Sequence, residues 1–599
     1  MNNYFVEKLH EIDNDAEQFA AYNSDGNTVV LAGPGSGKTT VLTLKVMQIL
    51  HEKVAPPRGL ACITYSKEAA REFKTRLNDY GLIKRENVFL GTVHSFCLSE
   101  IIIPFANLYP RYNIPLPIKI IPSKEKRKII EQIKKEIEYE DLSITEIDKE
   151  RTRNVIGLSK VDIPSYDVAL TAANMYDKEL VERGYIDFVS IIIYATLLLQ
   201  NEEYVRRCIE AKFPWLVIDE YQDLGKPLHE MILSLLENTN IKIFAVGDAD
   251  QSIYDFQGAS PEYLIELSKM HYIKNCIHLK NNYRSAKDII VASEAVLNKV
   301  RDYKAMGNLK DFPAKILFIT CEEDMLEQYL TTLELVQDLI SNDTAPHEIV
   351  ILAAYHYQLK ELNSIFGKSN IECYMAKHDF ERSDLIKWLE KCASWTLNMS
   401  SESFDAIYTF WESLNEKHDR LILPDNKIEY KRDLYNCLIN SKNNTASLRQ
   451  WIEFVIEKLD ILYLLNKSTY YPDEIENLNE LMKLLITEPF TEYRVDQFSR
   501  LGSPTGQVVL STRHGVKGLE FDNVIMLGME EGSFPRYNCT ERELEEAHRL
   551  CFVCVSRARK RCILIRSKYL NIPTRRGMWH KECNPSRFWD VLYSQYNEE

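Results

Sequence analysis

Residues 28–50 read TVVLAGPGSGKTTVLTLKVMQIL, so an apolar run, a glycine-rich turn and a helix-like stretch follow one another. This order is typical of a phosphate-binding loop between a strand and a helix. The glycines of the turn allow the backbone to wrap closely around an anion with its N–H groups pointing inward. Lys38 supplies a mobile cation for the outer phosphates, and the Thr39 hydroxyl suits Mg²⁺. The stretch therefore predicts a site for a nucleoside triphosphate.

One position departs from the strict G-x-x-x-x-G-K-[ST] pattern, because Ala32 stands where the first glycine would be. A glycine-rich turn that binds no phosphate is the alternative interpretation, although the strand and helix around it favour the nucleotide site. The predicted nucleotide-binding residues of this loop are Gly33, Pro34, Gly35, Ser36, Gly37, Lys38, Thr39 and Thr40.

The composition of the 599-residue chain, with 45% hydrophobic and 27% charged residues, is that of a globular protein of three or four domains. Its formal net charge of −15 argues against a surface that coats nucleic acid everywhere, but permits a local basic groove. The longest apolar run, residues 188–199, is too short to span a bilayer, so we expect a cytoplasmic protein with no membrane partner.

The thirteen cysteines are scattered along the chain, which favours reduced thiols over a disulfide framework. Cys551 and Cys554 form one C-x-x-C pair that could hold half a metal site. No second pair follows, and the flanking RLCFVCVSRA predicts a helix with both sulfurs on a buried face.

Two sets of short apolar runs alternate with helical stretches, which is typical of parallel sheets covered on both faces. The first set is 29–31, 60–64, 215–218 and 243–246, and the second is 315–320, 349–353, 508–512, 524–527 and 562–565. The predicted fold class is α/β with two parallel-sheet cores. Each core is interrupted once by a mainly helical insertion, between 100 and 184 and between 391 and 502.

A second chemical signal is PWLVIDEYQDL at 214–224, where a buried strand runs straight into carboxylates. Asp219 can hold Mg²⁺, and Glu220 can orient and deprotonate the water that attacks the terminal phosphate. A strand that ends in an ordinary polar turn is the alternative, which the phosphate loop upstream makes less favoured.

A third segment, IFAVGDADQSIYDFQGAS at 243–260, ends another strand with an acid and adds Gln251 and two aromatic residues. The chain now resembles the superfamily 1 helicases of the UvrD, Rep and PcrA family, over nearly its whole length from Gln18 to PSRF at 585–588. The other matching segments, in family order, are GTVHSFC (91–97), NNYRS (281–285), HGVKGLEF (514–521), GMEEGSFP (528–535) and VSRAR (555–559).

The resemblance implies two RecA-like cores and an ATP-dependent DNA helicase that uses ATP and Mg²⁺, moves 3′-to-5′ on single-stranded DNA and unwinds duplex DNA. A DNA-stimulated ATPase or sensor that unwinds little is the alternative. A structural protein with a degenerate nucleotide site is disfavoured by the intact motif residues. The implied boundaries are 1–100 and 185–275 for the first core, 101–184 for its insertion, 276–390 and 502–599 for the second core, and 391–501 for a reduced second insertion.

At the nucleotide, Gln18 is similar to the glutamine that reads the adenine edge, and Tyr283 to the ring that stacks on the base. Glu520 would bond the ribose or neighbouring groups. Arg284 and Arg557 resemble the two arginines that reach the γ-phosphate from the second core, where an arginine finger is worth roughly 10³ to 10⁵ in rate. A surface ion pair is the alternative for each arginine. With Gln251 as the γ-phosphate sensor, the implied catalytic residues are Lys38, Glu220, Gln251, Arg284 and Arg557.

For DNA, Tyr65 and Phe256 lie where the family places rings that stack on bases, each contact being worth roughly 1 to 3 kcal/mol. Rings that only fill the core are the alternative. The residues that resemble the family's contacts to the DNA backbone are Thr92, His94, Thr512 and His514. Six basic residues between 124 and 135 could touch duplex phosphates, but interrupting glutamates favour a solvated helix face.

The chain also departs from the family pattern. Gln257 replaces the usual arginine after the ring of the third motif, and Arg513 occupies a usually apolar site before His514. Only about 120 residues separate Glu381 from Val508, so the second insertion is short. Short chains of this build, with a faint likeness in SEIIIPF at 99–105, resemble helicases that act with a separate nuclease subunit in Gabija-type anti-phage defence.

Overall fold

The computed structural model describes residues 3–65, 67–82, 87–153, 166–255, 258–375, 380–399, 403–416, 424–467, 473–487, 490–502, 504–574 and 577–597. Two six-stranded parallel sheets dominate this part of the chain, in agreement with the predicted α/β class and its two RecA-like cores. Phe256 and Gln257 lie outside the described residues.

The first sheet has the strand order β3-β2-β4-β5-β1-β6 and contains all four runs predicted for the first core. Its strands are β1 (Thr28–Ala32), β2 (Ala61–Thr64), β3 (Phe89–Thr92), β4 (Trp215–Ile218), β5 (Lys242–Gly247) and β6 (Asn275–Leu279). Strands β3 and β6 were not predicted, because they form the two edges of the sheet and lack a continuous apolar run. Since β6 pairs with β1, the first core continues to Leu279, past the boundary predicted at 275.

The second sheet has the order β11-β12-β10-β13-β14-β9 and contains all five runs predicted for the second core. Two short strands, β7 (Asn281–Asn282) and β8 (Lys304–Ala305), pair in the segment that joins the two sheets. The sheet strands are β9 (Lys315–Cys321), β10 (Ile349–Ala353), β11 (Cys373–Met375), β12 (Val508–Thr512), β13 (Phe521–Met526) and β14 (Ala558–Ser567), followed by a hairpin of β15 (Tyr569–Thr574) and β16 (Gly577–Glu582). The edge strand β11 was missed because it has only three residues.

Helices cover both faces of each sheet, so successive residues of a central strand enter different cores. Val29 of β1 packs in one cluster and Val30 in another, while Val350 and Ile351 of β10 divide in the same way. This two-sided burial explains why the central strands read as continuous apolar runs. The main helices of the two cores are Asn3–Asp13, Ala16–Asn23, Lys38–Gln48, Lys67–Asp79, Phe188–Asn201, Glu203–Lys212, Lys226–Asn238, Pro261–Lys269, Lys287–Leu297, Met325–Ser341, His356–Lys368, Glu541–Val555 and Arg587–Tyr596.

The first insertion is built around an ionic network. Its main helices are Ser123–Glu136, Ile144–Arg151 and Tyr166–Glu182. Arg151 is fully buried and bonds Asp148, Asp177 and Asp187 at 2.7 to 2.8 Å. Lys126 of the basic stretch turns inward to the same network, 3.1 Å from Asp187. Lys126 therefore stabilises the fold of the insertion and is not a contact to DNA phosphates.

The second insertion is helical, as predicted, and it contacts the first. Its helices are Asp384–Thr396, Phe404–Glu416, Pro424–Ser441, Leu448–Lys458, Ile461–Lys467, Glu474–Leu484 and Val495–Ser499. The Asp473 carboxylate accepts bonds from the Ser123 backbone N–H at 2.8 Å and from its hydroxyl at 3.1 Å, at the start of the helix Ser123–Glu136. The two insertions therefore contact each other at this point.

The fold also gives the position of the C-x-x-C pair. Cys551 and Cys554 are buried in the helix Glu541–Val555, as predicted, and the described residues contain no cluster of metal-binding side chains. Among these residues no helix is long and apolar enough to cross a membrane.

Candidate nucleotide and nucleic-acid site

The loop between β1 and the helix Lys38–Gln48 has the backbone of an anion cradle. Gly35 and Gly37 adopt φ values of +66° and +77°, which side-chain-bearing residues rarely adopt. A Cβ atom on Gly35 would lie 2.7 Å from the Cβ of Arg284, so the glycine also allows the second core to approach. Ala32 is the last residue of β1, where the extended backbone has no need of glycine.

The two residues expected at adenine are joined through Asp15. This carboxylate accepts the Gln18 backbone N–H at 3.0 Å and the Tyr283 hydroxyl at 2.7 Å, and it begins the helix Ala16–Asn23. The Gln18 side-chain amide donates to the Ser36 carbonyl at 2.8 Å, while the Tyr283 backbone N–H donates to the Gly35 carbonyl at 2.9 Å. Gln18 and Tyr283 thus both hold the phosphate loop.

Lys38 and Glu220 form an ion pair of 3.1 Å at the centre of the site. Glu220 is the second residue after β4 and has a φ of +52°, a costly conformation for a residue with a side chain. Burial would raise the pKa of Glu220, but the charges of Lys38 and Lys517 outweigh it and lower the pKa. Glu220 is therefore ionised at neutral pH and able to accept a proton.

Acidic side chains crowd the carboxyl ends of β4 and β5. Asp219, Asp223 and Asp248 are all buried close to Glu220, and burial raises the pKa of each aspartate. The Asp219 Oδ1 accepts the Glu220 N–H at 3.0 Å. Carboxylate and hydroxyl oxygens are the ligands that Mg²⁺ prefers, and Asp219 and the Thr39 hydroxyl would hold the ion that accompanies the nucleotide, as the resemblance implies.

The two predicted arginine fingers enter from the second core. The Arg557 Nη2 donates to the Gln251 side-chain oxygen at 3.0 Å, and Arg284 Nε bonds Glu520 at 2.5 Å. Burial and the neighbouring Arg284 lower the pKa of Arg557 to about 9. Within the described chain no atom hydrogen-bonds the buried Nη1 of Arg284. Two neighbouring guanidinium groups, of which Arg284 has an unused N–H donor, suit a phosphate group bound between the cores.

Lys517, which the motifs did not predict as a site residue, links the cores more tightly than either arginine. Its Nζ lies 2.6 and 2.8 Å from the two oxygens of Asp223 and 2.7 Å from the Gln251 carbonyl. The same ammonium lies 5.0 Å from the centre of the Tyr254 ring. The sequence could have pointed to Lys517 as a site residue, because it is the only basic residue of the HGVKGLEF segment apart from His514.

The residues expected to contact DNA lie at the carboxyl ends of strands in both cores. Tyr65 follows β2 and its ring is stacked with Tyr254, with 6.3 Å between ring centres. Thr92 ends β3 and caps the next helix, while His94 packs edge to face against the exposed Phe188. The Tyr65 ring also packs against the first core, so it combines a core contact with a surface position.

Thr512 and His514 are at the end of β12 in the second core. The Thr512 hydroxyl accepts the Gly515 N–H at 3.1 Å and thereby shapes the turn after the strand. Burial, together with Arg513 and Arg536, lowers the pKa of His514, so the ring is neutral at physiological pH. Thr512 and His514 therefore lie in the second core, whereas Tyr65, Thr92 and His94 lie in the first.

Comparison with known proteins identifies the family. The profile of the UvrD/REP helicase N-terminal domain matches residues 13–272, and that of the UvrD-like helicase C-terminal domain matches 277–389 and 412–569. The chain belongs to the UvrD/Rep helicase family. It is an ATP-dependent DNA helicase with the two-core fold described above.

Named relatives of this helicase cover almost the whole chain. A probable DNA helicase II homolog of Rickettsia conorii is 26% identical, with 91% of both chains covered. The ATP-dependent DNA helicase PcrA of Bacillus subtilis is 23% identical over all of this chain and 88% of its own length. The ATP-dependent DNA helicase Rep of Buchnera aphidicola is 25% identical, with 91% of this chain and 93% of the relative covered.

The departure of this helicase from the family pattern at Arg513 has a structural explanation. This buried guanidinium donates to the carbonyls of Leu527 and Gly528 at 2.6 and 3.0 Å and lies 4.2 Å from the centre of the Phe534 ring. It therefore pins the loop that follows β13 to the end of β12. An apolar residue at this position could not make these hydrogen bonds.

Proposed function

We propose that this helicase moves 3′-to-5′ along single-stranded DNA and separates duplex strands, by coupling ATP hydrolysis to closure of its two cores. The family and its DNA helicase relatives support the motor activity. The direction of movement is supported by the resemblance to UvrD, Rep and PcrA helicases alone.

The observation that carries the proposal is the division of the nucleotide site between the cores. Lys38 and Glu220 belong to the first core, whereas Arg284 and Arg557 belong to the second. Closure would place all four on one triphosphate, so hydrolysis would depend on how the cores are arranged. When hydrolysis depends on whether the two cores are closed, each ATP turnover is coupled to a movement of one core relative to the other.

The triphosphate would change the Lys38–Glu220 contact. Its oxygens would compete for Lys38, which would release Glu220 to orient and deprotonate the attacking water. Bound Mg²⁺, held by Asp219 and Thr39, would neutralise charge on the phosphates. Arg284 would exchange its bond to Glu520 for a phosphate oxygen, and Arg557 would stabilise charge that develops at the γ-phosphate.

A short chain of contacts supports coupling to DNA. Lys517 touches Gln251 on the nucleotide side and the Tyr254 ring on the side of the Tyr65 stack. A base that displaced the Tyr65–Tyr254 stack would therefore disturb the group that holds Asp223 and Gln251. This contact gives DNA a physical route to the phosphate sensor.

Streptavidin displacement would test both movement and its direction. Oligonucleotides biotinylated at one end are mixed with enzyme, ATP and free biotin, and release of streptavidin is followed over time. A 3′-to-5′ motor releases streptavidin from the 5′ end much faster than from the 3′ end. Faster release from the 3′ end would contradict the direction, and release from neither end, with DNA-stimulated ATP hydrolysis intact, would contradict translocation. Action with a separate nuclease subunit stays a prediction from the resemblance.

A further inference from the structure

Lys45 is a buried lysine in the helix that follows the phosphate loop, and the motifs did not predict it as a site residue. Its side chain is only 1% exposed, although lysine is almost never buried without partners. Within the helix Lys38–Gln48 it lies two turns, or roughly 10 Å, after Lys38. Any effect of Lys45 on the nucleotide must therefore pass through other residues.

The Lys45 ammonium caps the end of the helix Ala16–Asn23. Its Nζ donates to the Tyr22 carbonyl at 2.7 Å, to the Ser24 carbonyl at 2.6 Å and to the Gln48 side-chain oxygen at 3.0 Å. The last carbonyls of a helix have no partner within it and carry partial negative charge, so a cation suits them. Every N–H group of the ammonium is thereby used, which makes burial of the charge tolerable.

The helix held in this way carries the predicted adenine reader. Gln18 lies in its first turn, and Asp15, which begins the helix, accepts the hydroxyl of Tyr283. Lys45 itself belongs to the helix whose first residue, Lys38, ends the phosphate loop. Lys45 therefore ties the element that would read the base to the element that would hold the phosphates.

The surroundings of Lys45 are otherwise apolar. The centre of the Phe244 ring lies 5.8 Å from the ammonium, and Ala21 and Leu44 pack in the core cluster on this face of the sheet. An apolar side chain of similar length would be cheaper to bury here than a charge. The hydrogen bonds of Lys45 have fixed directions, however, so they define the position of the helix more narrowly than apolar packing alone.

We propose that Lys45 is a positioning residue for nucleotide selectivity. It fixes the helix Ala16–Asn23 at the distance from the phosphate loop at which Gln18 meets the adenine edge of a triphosphate held by Lys38. GTP lacks the donor and acceptor pattern of adenine, so it gains nothing from this placement. The inference rests on the proposed function, since it takes Gln18 as the adenine reader of an ATP-driven motor.

Steady-state hydrolysis of ATP and of GTP at saturating single-stranded DNA tests the proposal. Lys45→Met should lower kcat/KM for ATP about 10-fold or more, through KM and not kcat, because the amide hydrogen bonds to the base lose their alignment. The kcat/KM for GTP should change less than about 3-fold. Lys126→Met is the matched control, because it removes another inward-facing lysine, from the first insertion, and should leave the ratio of the two kcat/KM values unchanged. Circular dichroism and the thermal midpoint verify that each variant is folded.

The pH dependence of this ratio is a readout that a merely structural role would not move. Burial and the neighbouring Lys53 lower the pKa of Lys45 to about 8, against the opposing charges of Asp25 and Glu52. A neutral amine has fewer N–H donors than the three acceptors around it. The ATP to GTP ratio of the wild type should therefore fall between about pH 7 and pH 9, while that of Lys45→Met stays low and constant. Groups that act on the phosphates, such as Arg557, affect both nucleotides and cancel in the ratio.

Gln18→Ala separates the ways in which the inference could fail. If Gln18→Ala lowers the ratio and Lys45→Met does not, Lys45 is overturned as a positioning residue while the adenine reader stands. If neither variant lowers it, the inference falls together with the role of Gln18. A wild-type ratio that stays constant over the same pH range, or an equal loss of selectivity in Lys126→Met, would also overturn the inference. A folded wild-type chain that hydrolyses neither nucleotide would overturn the proposed function as well.

Discussion

Replacement of Lys517 by methionine should weaken the closure of the two cores more than any other single change described here. The ammonium makes three short contacts, to both oxygens of Asp223 and to the Gln251 carbonyl, and both side chains of the ion pair are at least 90% buried. Removal of one partner from a buried pair costs about 3 to 5 kcal/mol. Since about 1.4 kcal/mol corresponds to a factor of ten, closure should become about 10² to 4 × 10³ times less favourable.

Steady-state ATP hydrolysis at saturating single-stranded DNA is the assay, because the two proposed arginine fingers would reach the nucleotide only from the second core. The kcat/KM for ATP of Lys517→Met should fall by about 10² or more. Lys560→Met is the matched control, since Lys560 makes a 2.7 Å ion pair with Asp522 within the second core. The control should change kcat/KM less than about 3-fold.

A second substitution separates closure from a direct role at the phosphate. Asp223→Asn together with Lys517→Met leaves no unpaired buried charge, so the double variant should recover part of the activity lost by Lys517→Met. A fall of less than about 3-fold in the single variant would refute the buried-pair argument. A double variant as inactive as the single one would show that Lys517 acts on the nucleotide itself.

Three further predictions concern the first core. Glu220→Gln should retain ATP binding but lower turnover by about 10² to 10⁴, because the base is removed while the phosphate loop stays; single-turnover hydrolysis and nucleotide binding measure this, and near-normal turnover would show that the base is misassigned. Gly35→Ala should raise the KM for ATP at least about 10-fold, since a left-handed backbone costs roughly 1 to 2 kcal/mol with a Cβ and that atom would overlap Arg284, whereas Gly367→Ala, which meets no atom within 4 Å, should not. Burial lowers the pKa of His229 from 6.5 to about 4, so the unfolded chain binds more protons between these values and acidification through this window should lower stability. His229→Gln should reduce the difference in Tm between pH 7 and pH 5, and an unchanged difference would contradict the linkage.

The sequence predicts the features that local chemistry decides. A left-handed backbone at Gly35 and Gly37 is encoded by the glycines themselves, and the continuous apolar runs of β1, β4 and β5 follow from burial on both faces. The edge strands β3, β6 and β11 could not be found in this way. Polar or glycine residues interrupt β3 and β6, and β11 has only three residues, all partly exposed, whereas the edge strand β9 keeps a long apolar run and was predicted.

Contacts between distant residues were also beyond prediction. Lys517 and Asp223 are 294 positions apart, and no local pattern states that they meet. Arg513 was recognised as a departure from the family, but its bonds to Leu527 and Gly528 depend on how the loop after β13 folds back.

The strand order of the second sheet has a consequence for synthesis of the chain. Strands β9, β10 and β11 all precede the second insertion, yet in the described sheet none of them neighbours another, and each pairs with β12, β13 or β14. More than 130 residues separate β11 from β12, which corresponds to about 7 to 25 s of translation at roughly 5 to 20 residues per second. During that time three apolar strands leave the ribosome without their partners, whereas the first sheet is complete once Leu279 has emerged. We therefore expect the nascent chain to depend on chaperones most while its second insertion is being made.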